Sequence, residues 1–441
     1  MRNHLGFQLV RFQLASRAPE AASRRATRGP EATRSRIGVR SSRRPGGRAP
    51  ALRGIWAALL PLALTAALAA APAPGPMARP SVVRTVRGTI PTPGPVTLRV
   101  AAEVGNIRVT GGPSGELTYT VLLRTRPGPD AQARLDAWPI SVRREGGVII
   151  IASGRGPAPG HTHVTITVAV PPQVQSVNLH SAVGNLAADN LAASVRAQTA
   201  AGNITMDQVR GAVRAETAGG NIALGTLGGS VHAATAGGTI SLISARGPIH
   251  LQSQGGNISI GHAGAEAHVA TAGGSIVIHS AAAGIVAETG GGNIELGDIA
   301  GPARAVTGGG NIHIAAAQGV RCQTGGGDVV LRAVNGPVRA DTGAGSIRVA
   351  ITGAPAQFAA SELQSGFGTI TVYLPSRLPV TVEAAGFSAG PSGPRLTSDF
   401  PRITAAAAGA STIHVSLNGG GPLLRIETGN GGIRILKLST R

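Results

Sequence analysis

The chain has 441 residues, with 40 Lys plus Arg against 20 Asp plus Glu, 65 glycines, a single cysteine and 2% aromatic residues. So little aromatic side chain and so much glycine exclude a conventional globular core, and a lone cysteine excludes an intramolecular disulfide framework. The net charge of +20 is unevenly spread, so it has to be read segment by segment.

Residues 1–54 carry 13 Arg against 2 acidic residues, a net of 13 − 2 = +11, which leaves +9 for the rest of the chain. The segment has no hydrophobic period and no aromatic interleaving. It is expected to be an Arg-rich disordered N-terminal extension, and no specific nucleic acid is expected as its partner. Residues 55–78 carry no charge. Their apolar part runs from Ile55 to Ala71 and is interrupted by Pro61. That is short for a membrane span, which needs about 20 residues. It matches the apolar region of an export signal, with Ala67-Leu68-Ala69 as the cleavage box, and an uncleaved N-terminal anchor is the alternative. The Pro-rich stretch of residues 79–95 reads as a linker.

Residues 96–180 are expected to be an N-terminal cap with irregular first rungs. Short alternating strands recur there, with a hairpin around Glu145-Gly146-Gly147 and a loop from Pro127 to Pro139. Residues 181–350 repeat one unit, of the form Val-x-Ala-x-Thr-Ala-Gly-Gly-Asn-Ile-x-Leu. The residue after the glycines falls at Asn185, Asn203, Asn221, Thr239, Asn257, Ser275, Asn293, Asn311, Asp328 and Ser346. The step between these markers is constant, except that the one into Asp328 is shorter by a single position. A fixed period of about 18 residues marks a stacked-repeat architecture. In Val213-Arg214-Ala215-Glu216-Thr217 the valine, alanine and threonine share one strand face, and the charged residues share the other. Ala218-Gly219-Gly220 turns the chain. Ile222-Ala223-Leu224 is a second strand, and Thr226-Leu227-Gly228-Gly229 is read as a third, weaker segment. Two inward columns follow, one from Val195 to Val338 and one from Ile204 to Ile347. Asn185, Asn203, Asn221, Asn257, Asn293 and Asn311 are expected to form a structural corner ladder, their amides bonding rung to rung. Residues 351–441 lose the period and are expected to hold irregular rungs, a loop from 386 to 411 and a cap.

Sites of chemistry are sparse. Calcium-binding rolls share the length of this repeat, but their acidic corner is asparagine here, so hard-cation sites are not expected. Outward carboxylates are few, and Glu288 and Glu295 sit on different strands of one rung. Cys322 falls in the inward alanine column and reads as a small buried hydrophobe. One surface feature stands out. Three residues before the corner threonine stand Arg196, Arg214, His232, His250, His268, Val286, Arg304, Arg321 and Arg339. Stacking would place these arginines and histidines in one basic stripe, suited to acidic polymers. Histidine titrates near pH 6.5, so the stripe is expected to gain charge below about pH 6. The rung spacing of the histidines is wide for shared ligation, and no carboxylate orients them, so no metal and no cofactor is expected.

The run Gly-Asn-Ile-Arg-Val-Thr-Gly (105–111), the segment from Val164 ending in Val170-Pro171, and the Thr-x-Gly-Gly-Asn-Ile rungs together resemble an uncharacterised bacterial family, the β-strand-repeat putative adhesins, which are similar to autotransporter adhesin heads. The resemblance covers about residues 85–438. It implies a right-handed parallel β-helix on an exported protein and carries over no catalytic residue. The expectation is therefore an all-β, single-chain parallel β-solenoid with rungs of about 18 residues. Its expected role is a non-catalytic adhesin or envelope-binding module in the periplasm, at the cell surface or outside the cell. Its partner would be an envelope polymer, a glycan or a surface partner, with lateral or end-to-end self-association as a further route. Two alternatives stand beside this: a self-assembling β-helix like the bactofilins, and a degenerate polysaccharide-active β-helix enzyme.

Overall fold

Strict alternation of apolar and polar residues makes a strand with one buried face, and glycine-rich corners every few residues keep each strand short. The result is two long, mostly parallel sheets of 17 strands each, packed face to face. The computed structural model describes residues 81–113, 115–157, 162–387, 396–408 and 410–439, all within one compact unit, Pro76–Arg441. The extension of residues 1–54 and the export segment of residues 55–78 lie outside the described residues.

Each repeat gives one strand to each sheet. Val213–Thr217 lies in one sheet, and Ile222–Leu227 lies in the other. For brevity these are the outer-column sheet and the isoleucine sheet. In both, each strand pairs in parallel with its counterpart in the next repeat: Val195 faces Val213, Val213 faces Val231, and Ile204 faces Ile222, which faces Ile240. The inward columns are dry. Val213, Val231 and Ile249 are at most 3% exposed, and Ile204, Ile222, Ile240 and Ile258 at most 1%. Alanines at 215, 233, 287 and 305 face the interior from one sheet where Leu224, Leu242, Leu296 and Ile314 face it from the other. Small side chains opposite large ones let the two sheets approach closely.

The third segment of the repeat is not a separate strand. In Ile222–Leu227, residues 222, 224, 225 and 227 are buried, so the alternation slips by one residue at Gly225. In the repeat before it, Gln208 has φ of 52°, and the pairing passes from Met206 facing Leu224 directly to Val209 facing Leu227. The irregularity turns Leu227 inward and leaves two strands per repeat where the sequence predicted three segments.

A second correction concerns residues 79–95. Val82–Pro91 is a strand of 10 residues, not a linker, and it pairs antiparallel with Glu116–Thr125 at the edge of the isoleucine sheet. Two predicted loops also hold short helices, Ala131–Asp136 and Pro401–Ala406. The Arg84 guanidinium donates to the carbonyls of Leu135 and Trp138 and so ties the first helix to the edge strand. Trp138, placed in a loop by sequence, is 2% exposed and donates its indole N–H to Ser153 Oγ at 3.0 Å.

The caps do not follow chain order. The rung made by Val96–Val104 and Asn106–Gly111 is sandwiched between two later ones. Val148–Ser153 and Thr162–Val170 lie on its outer side, and Val174–Val183 and Leu186–Leu191 on its inner side. The other end does the same. Leu423–Thr428 and Ile433–Lys437 slot between Ser361–Leu374 and the segments Val380–Ala385 and Leu396–Ser398. Antiparallel strands then cover three of the four sheet ends: Val82–Pro91, Ile140–Glu145 and Thr412–Leu417.

A buried hydroxyl ladder runs along the corner between the two sheets. Thr217 Oγ1 donates to the carbonyl of Gly202 at 2.9 Å and accepts the N–H of Gly220 at 3.2 Å. The same double contact recurs at Thr235, Ser253, Thr271, Thr289, Thr307, Thr324 and Thr342. These residues sit 1–7% exposed, so each hydroxyl satisfies two backbone groups that water does not reach.

Candidate functional site: a basic column and its groove

The predicted stripe is assembled by the pairing of the outer-column sheet. Arg196 faces Arg214, and the column continues through His232, His250, His268, Val286, Arg304, Arg321 and Arg339, one residue per strand. The column is longer than the repeat. Arg339 faces Glu362, which faces Arg425 from a strand close to the end of the chain. No period links those positions, so sequence spacing does not reveal that Glu362 and Arg425 belong to it.

Carboxylates neutralise part of the charge. Arg214 pairs with Glu216, Arg304 reaches Glu288 at 3.5 Å, Arg339 reaches Glu362 at 3.4 Å, and Arg425 reaches Glu427 at 2.7 Å. Glu216, whose carboxyl pKa is lowered overall although its burial pushes the other way, also accepts from the Gln198 amide and Arg214. Arg196 and Arg321 form no ion pair among the described residues. Exposed pairs of this kind contribute about 0–1 kcal/mol each, so the arginines stay available to another anion.

The three histidines form a ladder in the middle. The rings of His232 and His250 stack with centroids 5.1 Å apart and planes 8° apart, and His250 lies 6.5 Å from the tilted ring of His268. Glu266 Oε1 stands 3.2 Å from His268 Nε2, which corrects the expectation that no carboxylate orients these histidines: the glutamate lies two residues before His268, on the same outward side of its strand. Burial is the largest cause holding the pKa of His232 below the ordinary value, followed by Arg214 and His250. Burial, then His268, lowers that of His250. His232 and His250 therefore take up protons at lower pH than an ordinary histidine.

A depressed folded-state pKa means that, as pH falls below about 6.5, the unfolded chain binds protons that the folded chain refuses. Stability present above that pH is lost as pH falls through the folded-state values. The melting temperature of the wild type is therefore expected to drop between about pH 7 and pH 5 by more than that of a His232→Gln/His250→Gln variant. Thermal unfolding followed by circular dichroism at both pH values checks this, and parallel curves for the two proteins would refute it.

The asparagine side chains of the corner ladder bond rung to rung, each amide oxygen accepting the backbone N–H of the next marker. Asn185 accepts from Asn203, Asn203 from Asn221 and Asn221 from Thr239, each at 2.8 Å. Asn257, Asn293 and Asn311 do the same for Ser275, Asn311 and Asp328. This ladder holds neighbouring corners in register. Cys322 is buried in its column, and burial pushes its thiol well above the ordinary value, so it stays protonated. Glu288 and Glu295 lie on the outward positions of opposite sheets, so they face away from each other.

A groove of about 650 Å³ runs beside the C-terminal half of the column. Arg304, Arg321, Arg339 and Arg425 line one side, and Pro302 and Pro337 stand on the other.

No protein-family model matches the chain, and no curated protein does. Solved structures do. A putative adhesin from Bacteroides fragilis is similar at 18% identity, over 66% of this chain and 97% of that one, with a TM-score of 0.21. A putative adhesin from Parabacteroides distasonis is similar at 13% identity over the same shares, with a TM-score of 0.26. A putative cell adhesion protein from Clostridium sporogenes is similar at 8% identity over 81% of this chain and all of that one, with a TM-score of 0.18.

Proposed function

We propose that this chain is an exported, non-catalytic adhesin or envelope-binding module. In this reading it is a right-handed parallel β-helix, one rung per repeat, that holds acidic envelope polymers on its basic column. The observation that carries the reading is the register of the column: Arg304, Arg321 and Arg339 stand on consecutive strands of one outward face. Parallel strands lie about 4.8 Å apart, so one charge per strand forms a line that a polyanion can follow. The opposed faces of Glu288 and Glu295 support a role in binding over one in glycan cleavage, which needs two carboxylates flanking one bond.

The test is retention on immobilised heparin or lipopolysaccharide. A variant with Arg304→Ser, Arg321→Ser and Arg339→Ser is expected to bind about tenfold more weakly at low salt, and the difference should shrink as salt screens the column. The wild type is expected to gain affinity as pH falls, at lower pH than ordinary histidines would give, because burial holds the pKa values of His232 and His250 down. Equal retention of both proteins at low salt would leave the column as a solvated face.

A further inference from the structure

The groove beside the column has two unlike walls. In the position just before each strand of the outer-column sheet stand Gly284, Pro302, Gly319, Pro337 and Ala360. Glycine, proline and alanine raise no polar side chain there, so this corner is a low, apolar ledge. Two residues further along each strand, past one buried residue, Arg304, Arg321 and Arg339 rise as a wall, and Arg425 extends it. The ledge ends at Glu266 on one side and at Leu423, a large hydrophobe left 37% exposed, on the other. In the wall, Val286 is the one position of the nine that holds neither an arginine nor a histidine.

Charge is distributed unevenly along the wall. Arg304, Arg339 and Arg425 each have a carboxylate within 3.5 Å, whereas Arg321, between the first two, has no ion pair among the described residues. From Val286 to the strand of Leu423 there are five strand-to-strand steps, on the order of 24 Å at about 4.8 Å each. The hollow of about 650 Å³ lies within the range of small-molecule sites, about 300–1,000 Å³. A wholly polar polymer would fill this space poorly. Its hydroxyls would lie against prolines, valine and leucine and lose their partners in water. No aromatic side chain lines the groove to stack on a sugar ring. A ligand with one anionic end and one long apolar part matches both walls.

We infer that this groove binds a single-chain anionic amphiphile, its carboxylate or phosphate head on Arg321 and its acyl chain laid along the ledge of Pro302 and Pro337. The inference rests on the reading of the basic column as an anion-binding surface, and adds to it the apolar half of the ligand. The arginine wall supplies charge-assisted hydrogen bonds to the head, and the ledge takes the chain out of water. A lipid component of the envelope and a free fatty acid share this chemistry, and they differ in the head.

The test is calorimetric titration of the full chain with laurate and with lauryl phosphate, both below their micellar concentrations. Glycerol monolaurate, which keeps the chain without the charge, and butyrate, which keeps the charge without the chain, are the controls. Saturable binding of laurate or lauryl phosphate is expected, with both controls weaker by about tenfold or more. The better of the two anionic ligands identifies the head. Arg321→Gln is expected to weaken binding about tenfold. Leu423→Ser, at a ledge position left 37% exposed and outside the column, is expected to weaken it several-fold by removing apolar surface while leaving heparin retention unchanged. Circular dichroism checks that each variant is folded. Laurate and lauryl phosphate binding no tighter than butyrate, or binding indifferent to Leu423→Ser, would overturn the inference even if heparin retention stays normal. Loss of heparin retention alone, with amphiphile binding intact, would overturn the polymer reading and leave the groove.

Discussion

Replacing Gly256 by alanine is expected to destabilise the protein by about 3 kcal/mol, the upper range for overpacking a close-packed contact. A Cβ on Gly256 would stand 2.0 Å from the carbonyl oxygen of Gly238 and 2.4 Å from its carbon, in the repeat below. Both obstacles are backbone, so no rotamer change relieves the clash and the two repeats must move apart at this corner. That movement would also stretch the contacts that Ser253 and Thr271 make with the same glycines. The preceding residue gives the control. A Cβ on Gly255 would meet only the carbonyl oxygens of Ala236 and Gly237 at 3.8 Å, an ordinary contact. Gly255→Ala is expected to change stability by no more than about 0.5 kcal/mol. Thermal and urea unfolding of the two variants decide the point, and equal stabilities would show that the glycines are not required by close stacking.

Thr271→Val is expected to cost about 2 kcal/mol, the middle of the range for buried backbone groups left without a partner, roughly 1–3 kcal/mol. Valine keeps the shape of threonine and loses the hydroxyl that serves both the carbonyl of Gly256 at 2.9 Å and the N–H of Gly274 at 3.3 Å. The side chain is 5% exposed, so water cannot readily replace it. Thr271→Ser should retain most of the stability, since Ser253 makes both contacts in the same column. The diagnostic result is the ordering wild type, serine, valine in denaturation midpoints. A valine variant as stable as wild type would mean that the hydroxyl ladder does not contribute to holding the corner.

The candidate site was partly legible for the same reason as the repeats. Arg304, Arg321 and Arg339 recur at repeat distance, and a strand position that points outward in one repeat points outward in the next. Glu362, Leu423 and Arg425 recur at no period, and they join the wall only because Leu423–Thr428 slots in beside Ser361–Ser365. The groove depends on both sets. The shifted pKa values of His232 and His250 were not legible either. They arise from burial among stacked neighbours, and composition assigns every histidine the same ordinary value.

By itself the sequence determined the alternation within each strand, the corner glycines and the constant step from one marker to the next, as from Asn203 to Asn221. These specify which residues stack on which wherever each repeat touches only its neighbours, because a stack of that kind is a one-dimensional problem. Only the tertiary structure decided the ends. An open sheet edge leaves a row of unpaired backbone groups and has to be covered. Covering it folds Val82–Pro91 and Ile140–Glu145 back antiparallel and places Asn106–Gly111 beneath a later strand, Thr162–Val170. Those contacts join segments far apart in the chain, where one inward-facing pattern fits several layers equally well. Closure of the whole stack, and no local period, chooses among them.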